Sequence, residues 1–165
     1  MKSRNELAKL GWTTGVELGV ARGDFSNVLL DGGADCRRLY SIDRWADHHD
    51  MKEYFDAMET LRVFGRQSTV IRATFDEALT LFPDNFFDFI YIDGYAHTGQ
   101  DGGKTIRDWW RKLALGGLFA GHDYSEKYPK TIEAVDRFVK DYGVTLNITD
   151  GSDRFQSWWI RKVHD

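Results

Sequence analysis

The sequence has almost no cysteine, few prolines and no long apolar run, and each shortage closes off a class of protein. Cys36 is the single cysteine among 165 residues. It can form no disulfide within the chain and no paired-cysteine metal motif, so a reducing, cytoplasmic setting is expected. No apolar stretch approaches the roughly eighteen residues of a membrane span. The opening segment MKSRNELAKLGW lacks the apolar core of a signal peptide. There is no dense basic run and the net charge is -4, which argues against broad electrostatic binding to nucleic acid. The two prolines, Pro83 and Pro129, fall where elements are expected to end or begin. No repeat or low-complexity linker divides the chain, so a single domain with its own core is expected.

What is abundant is aromatic: six Trp and eleven Phe. The pattern of apolar residues alternates strand and helix. Strands are expected at 14–19, 37–43, 68–73, 87–94 and 116–123. Helices are expected at 24–32, with Asp24 as N-cap and a Gly-Gly stop, and at 49–64, 75–82, 103–114 and 130–143. In the second helix Met51, Tyr54, Phe55, Met58 and Leu61 share roughly one face. FDFIYIDG, 87–94, reads as a strand buried on both faces. VTLNITD and RFQSWWIRKV, with only a short polar break between them, predict a final antiparallel hairpin. One of Trp109 and Trp110 should face the core, and Trp158 and Trp159 should point to opposite sides. An exposed one could pave a substrate surface or a homodimer contact.

Strands alternating with helices argue for an α/β domain with a mainly parallel sheet, whose ligands bind beyond the carboxyl ends of the strands. Those ends read Glu17–Gly19, Asp43, Ala73–Thr74, Asp93–Gly94 and His122–Asp123. An acid lies at or near four of the five. In ELGVARGDFS, Gly19 permits a sharp turn and Gly23 a close backbone approach before a helix N-terminus. Glu17 and Asp24 flank that loop. They would repel a pyrophosphate and attract an ammonium or sulfonium group. A nicotinamide-dependent oxidoreductase fails here, since the loop lacks G-x-G-x-x-G. Asp43, closing the second strand, can accept both hydroxyls of a ribose.

VELGVARGDFS with IDRW, DFIYIDGYAH and LALGGLFAGHDY resembles the class I S-adenosylmethionine-dependent methyltransferases, in particular a small family with D-x-I-x-I-D-G-x-H and G-G-x-x-x-G-H-D-Y strands. The match spans roughly residues 14–163. The resemblance implies a Rossmann-like fold: a seven-stranded, mostly parallel sheet in the order 3-2-1-4-5-7-6, with helices on both faces and the last strand antiparallel. It implies S-adenosylmethionine as cofactor and a small-molecule methyl acceptor as partner. Gly19, Val20, Gly23 and the first helical residues Phe25 and Ser26 would approach the methionine part, with Glu17 near its ammonium group. Asp43 would hold the ribose, Arg44 or Trp45 would cover the adenine, and Thr74 and Phe75 would reach its edge. Asp93 and Gly94 would sit by the sulfonium.

Methyl transfer to oxygen needs alignment, and removal of a proton by a base or a metal. The candidates are Asp93, His97, His122 and Asp123. In related O-methyltransferases a divalent ion lies between the ends of strands four and five, which Asp93 and Asp123 match here. Oxygen ligands suit Mg²⁺, and a His122 ligand would favour Mn²⁺. The family's D-G-D-H stands here as Asp93-Gly94-Tyr95-Ala96-His97, so the metal and the base are left open. His48 and His49 read as solvated. The loop 95–104 is expected to lie beside the site. About a dozen residues precede the first strand, so the acceptor site is expected to be open, or completed by another subunit or by segments 44–56 and 95–103. The competing reading is a non-catalytic domain that binds S-adenosylmethionine as a partner or sensor.

Overall fold

A central sheet of seven strands runs in the order β3-β2-β1-β4-β5-β7-β6, as the resemblance implies. The structure is a computed structural model that describes residues 1–46, 49–93, 99–151 and 153–164. The parallel strands are β1 (Thr14–Leu18), β2 (Arg38–Asp43), β3 (Ser68–Arg72), β4 (Phe87–Ile92) and β5 (Leu113–Gly121). Strand β7 (Trp158–Arg161) runs antiparallel to β5, and β6 (Asn147–Ile148) pairs antiparallel with β7. The expected hairpin therefore forms, but with a first arm of only two residues.

Helices cover both faces. They are α1 (Asp24–Gly32), α2 (Met51–Leu61), α3 (Phe75–Leu79), α4 (Lys104–Trp110) and α5 (Pro129–Tyr142). On one face Val16, Leu18, Ile90 and Ile92 pack with Trp109, Trp110 and Phe138. On the other, Leu39, Phe89, Tyr91 and Leu118 pack with Trp12, Phe25 and Leu29. Alternation along β1 explains the division: Val16 and Leu18 face the first layer, so Gly15 and Glu17 face the second. Each fully buried large side chain contributes about 1.5–3 kcal/mol of transfer free energy.

Several local expectations change. Asp24 is the first helical residue of α1, and the N-cap is Gly23 at φ 84. A left-handed turn brings the chain into the helix, and the Asp24 carboxylate complements the positive end of the helix dipole instead. Helix α2 starts at Met51 because Asp50 caps it, accepting from the Glu53 amide. Its expected apolar face is not buried as one: Ala57 and Leu61 face the core, while Met51, Phe55 and Met58 are exposed. Helix α3 ends at Leu79, and it opens with a capping box between Thr74 and Glu77. Strand β5 begins at Leu113 and carries an irregularity opposite Phe87 and Phe89. Trp109 and Trp110 are both buried, whereas only one was expected in the core. Trp158 is buried and Trp159 half-buried, as alternation requires. Among the described residues no helix is long and apolar enough to cross a membrane.

Candidate active site at the strand ends

Backbone hydrogen bonds bring the expected strand ends into one row. The amide of Gly19 donates to Ile42 O, that of Asp93 to Leu18 O, that of His122 to Ile92 O and that of Ala73 to Asp43 O, all at 2.7–3.0 Å. Parallel register thus sets the residues that follow β3, β1, β4 and β5 side by side with Asp43, which closes β2. Gly121 makes the last placement possible. A Cβ there would meet the Trp158 ring at 2.7 Å, so only glycine lets Trp158 close over the end of β5 before His122.

Glu17 is 1% exposed. Its carboxyl and the Ser41 hydroxyl both bond the Ser26 hydroxyl, so the first turn of α1 is tied to β1 and β2. Burial pushes the Glu17 carboxyl up to about 8; the Ser26 hydrogen bond opposes the rise, the Asp93 charge adds to it, and Arg4 pulls it back. Glu17 is thus a largely neutral acid at pH 7 that a neighbouring cation would ionise. A buried acid of this kind suits a cationic ligand.

Asp43 organises the glycine loop. Its Oδ2 accepts from the amides of Val20 at 2.9 Å and Ala21 at 3.1 Å, and its Oδ1 from the amide of Trp45 at 3.0 Å. His49 Nδ1 lies 2.7 Å from Oδ2. Burial would raise the Asp43 carboxyl, but the His49 and backbone hydrogen bonds outweigh it and hold the group at about 2. His49 is pushed upward by the same bond. It is therefore a partner of the site and not the solvated residue expected; His48 lies outside the described residues. A hydroxyl ligand of Asp43 Oδ2 would compete with His49. Trp45 also differs from expectation. It is 1% exposed, its indole N–H donates to Ala21 O at 2.7 Å, and its ring meets Tyr54 edge-on. It props the loop from beneath and has no open face for an adenine. Arg44 is exposed. Thr74 caps α3, and Phe75 packs against the core edge.

At the ends of β4 and β5, Asp93, His122 and Asp123 converge. His122 Nδ1 lies 3.3 Å from Asp93 Oδ1 and 3.2 Å from Asp123 Oδ1. One donor atom from each residue lies within 4.8 Å of the others. Asp123 adopts φ 59, as Ala21 and Trp45 adopt φ 49 and 43. Three strained non-glycine residues thus stand at the strand-end loops, where such strain commonly marks function. Burial would raise Asp93, but the hydrogen bond and charge of His122, and then Arg4, hold it below the usual carboxylate range.

Arg4 was not legible in the sequence. It opens a 3₁₀ turn, Arg4–Lys9, which packs against α1 through Leu7 and Ala8. Its Nη1 bonds Asp93 Oδ2 at 2.7 Å, and its guanidinium lies 4.5 Å over the Phe25 ring centre. No periodicity or motif marks an arginine far from the strand ends in sequence, so only the tertiary fold discloses it. Gly19, Val20, Gly23, Phe25 and Ser26 are buried around the loop. Gly94 and His97 lie outside the described residues, as do residues 95–98 of the loop 95–104.

A family model described as Methyltransferase domain matches residues 16–124, the span that holds every strand end described above. The chain belongs to this methyltransferase family, within the class I S-adenosylmethionine-dependent methyltransferases. No curated protein matches the sequence. Among solved structures it is similar to the Bacillus cereus O-methyltransferase in complex with SAH, with 15% identity over 96% of this chain and 80% of that one, TM-score 0.72. It is similar to an S-adenosylmethionine-dependent O-methyltransferase from Thermotoga maritima, with 12% identity over 98% and 63%, TM-score 0.72. Spermidine synthase from the same organism shares the fold at 14% identity over 99% and 58%, TM-score 0.72. The fold alone therefore does not fix the group transferred.

Proposed function

We propose that the protein methylates a hydroxyl group of a small-molecule acceptor, using S-adenosylmethionine, and that its 165 residues act as one domain. The observation that carries this reading is the Asp93–His122–Asp123 group beside the Glu17 loop. A bound S-adenosylmethionine supplies an electrophilic methyl on a positively charged sulfur. Glu17 and Asp93 provide the negative field for that end of the molecule, and the Gly19–Gly23 backbone its close approach. Asp43 holds the ribose hydroxyls and Arg44 covers the base, with Thr74 and Phe75 at its edge. With Nδ1 turned to two carboxylates, His122 presents Nε2 to the acceptor. It takes the hydroxyl proton there, and the carboxylates stabilise the imidazolium that forms.

A second reading rests on the same three side chains. Two carboxylates and an imidazole, one donor atom of each within 4.8 Å of the others, suit a divalent ion of the Mn²⁺ type, and Mg²⁺ less well. Asp93 and Asp123, with His122, would hold it, and it would supply a lowered hydroxyl pKa.

Calorimetric titration with S-adenosylmethionine, S-adenosylhomocysteine and NAD⁺, repeated with Mg²⁺, Mn²⁺ and EDTA, tests both. Micromolar binding of the two sulfur compounds and none of NAD⁺ is the expected outcome. Binding by neither sulfur compound overturns the cofactor assignment. Transfer to hydroxyl acceptors that survives EDTA leaves His122 as the base, and transfer restored by Mn²⁺ assigns the metal. Binding without turnover of any acceptor favours a sensor.

A further inference from the structure

The strand ends carry a surplus of acid. Glu17, Asp43 and Asp93 suit the positive centres of the cofactor but would repel its remaining charged group, the carboxylate of the amino-acid tail. Among the described residues, Arg4 is a cation that reaches the ends of both β1 and β4. It bonds Asp93, and its charge acts on Glu17. We infer that Arg4 is a cofactor-binding residue that recognises the carboxylate of the methionine tail, an inference that rests on the cofactor assignment above.

The guanidinium is held ready for this. Its backbone amide donates to Asp153 Oδ2 at 2.7 Å, and the Asp150 amide donates to Met1 O at 2.9 Å. The segment is thereby pinned to the connection between β6 and β7, while Leu7 and Ala8 anchor it on α1. Phe25 supports one face of the guanidinium. Asp93 and Tyr91 engage part of its hydrogen-bonding capacity. A guanidinium carries five N–H donors in a planar fork, so others remain. The Arg4 side chain is 27% exposed, so part of it is accessible to a ligand. A planar fork matches a carboxylate in two-pronged fashion, and a donor fixed in advance loses little freedom on binding. The arrangement would select the complete amino-acid tail over one that has lost its carboxylate.

The test compares two ligands that differ only in that carboxylate, S-adenosylhomocysteine and its decarboxylated analogue. Each is titrated against the wild type, Arg4→Gln and Arg4→Lys, with folding checked by circular dichroism. The wild type is expected to prefer S-adenosylhomocysteine by roughly 10- to 100-fold, the range of hydrogen bonds to a charged group. Arg4→Gln should bring the two ligands to within about threefold of each other, and Arg4→Lys should keep part of the preference. A wild type that binds both ligands equally overturns the inference without recourse to any variant. So does an Arg4→Gln protein whose affinities move in parallel, which would make Arg4 a structural partner of Asp93 alone. Binding of neither ligand by the wild type is a different failure, because it removes the cofactor assignment itself.

Discussion

The two edges of the sheet are built from similar residues to opposite ends. At the edge where the parallel strands begin, charges close bonds. Asp88 accepts from the amides of Thr13 and Thr14 and from the Thr13 hydroxyl at 2.7–3.0 Å. Lys112 donates to Phe82 O at 2.9 Å and to Asp84 at 2.7 Å, and Lys162 donates to Leu113 O at 2.9 Å. At the edge where they end, acids crowd. Glu17 is driven towards neutrality, Asp93 shares one arginine and one histidine, and Ala21, Trp45 and Asp123 hold strained backbone. One edge stabilises the fold. The other retains unfavourable groups that a ligand of the right charge can relieve.

The sharpest break would come from Asp93. Asp93→Asn removes the charge that orients His122 and pairs with Arg4, so the methyl-transfer rate is expected to fall by roughly 10²- to 10⁴-fold in single-turnover assays. A rate within about tenfold of wild type would place the proton-handling group elsewhere. At the opposite edge Asp88→Ala strands two amides and a hydroxyl, at a cost of about 2–3 kcal/mol in urea unfolding, with cofactor affinity nearly unchanged. A large loss of affinity there would mean that the two edges are not separate in role.

Glu17→Gln sharpens the contrast because it should help the fold and harm the site. The folded carboxyl titrates near 8 and the unfolded one near 4.5. The wild type therefore loses stability as pH rises from 4.5 to 8, and the glutamine variant does not. Its melting-temperature advantage should grow across that window and level off above it, while its affinity for S-adenosylmethionine drops by about tenfold or more. In the wild type that affinity should rise with pH until about 8, as the carboxylate that attracts the cation forms without help. A flat melting difference between pH 5 and 8 would show that Glu17 is ionised throughout.

The smallest effect belongs to His49→Ala. His49 is pushed upward by Asp43, so its contribution is present below its ordinary value near 6.5 and fades as pH rises through the raised one. The loss should be about 0.5–1 kcal/mol at pH 6 and less at pH 9. Affinity should improve slightly, since a ribose no longer displaces the ring. Weaker cofactor binding would instead make His49 part of the ribose site.

The strands, most of the helices and the row of acids were legible because each strand of this α/β sheet is local in sequence and ends at a turn residue, whereas the strand order was implied by the family resemblance alone. Glu17, Asp43, Asp93 and His122 could be placed for that reason. What escaped depends on contacts across long separations. Arg4 meets Asp93 through the packing of the first turn on α1. His49 reaches Asp43 by a loop whose conformation no propensity dictates. Trp45 looked like a stacking face because its position beside Asp43 was visible, but the positive φ that turns it inward was not. The exposed Met51, Phe55 and Met58 show the same limit, since a helical period reveals that a face is apolar without saying what covers it.

Strand β6 is only two residues long. An unpaired edge strand invites a neighbouring chain to extend the sheet, and short edges are one way proteins resist that form of aggregation. This border offers too little backbone to template a second molecule, even when the protein is crowded. The opposite border, β3, is five residues long and half-buried along most of its length. Any tendency of the protein to form sheet-to-sheet aggregates should therefore begin at Ser68–Arg72.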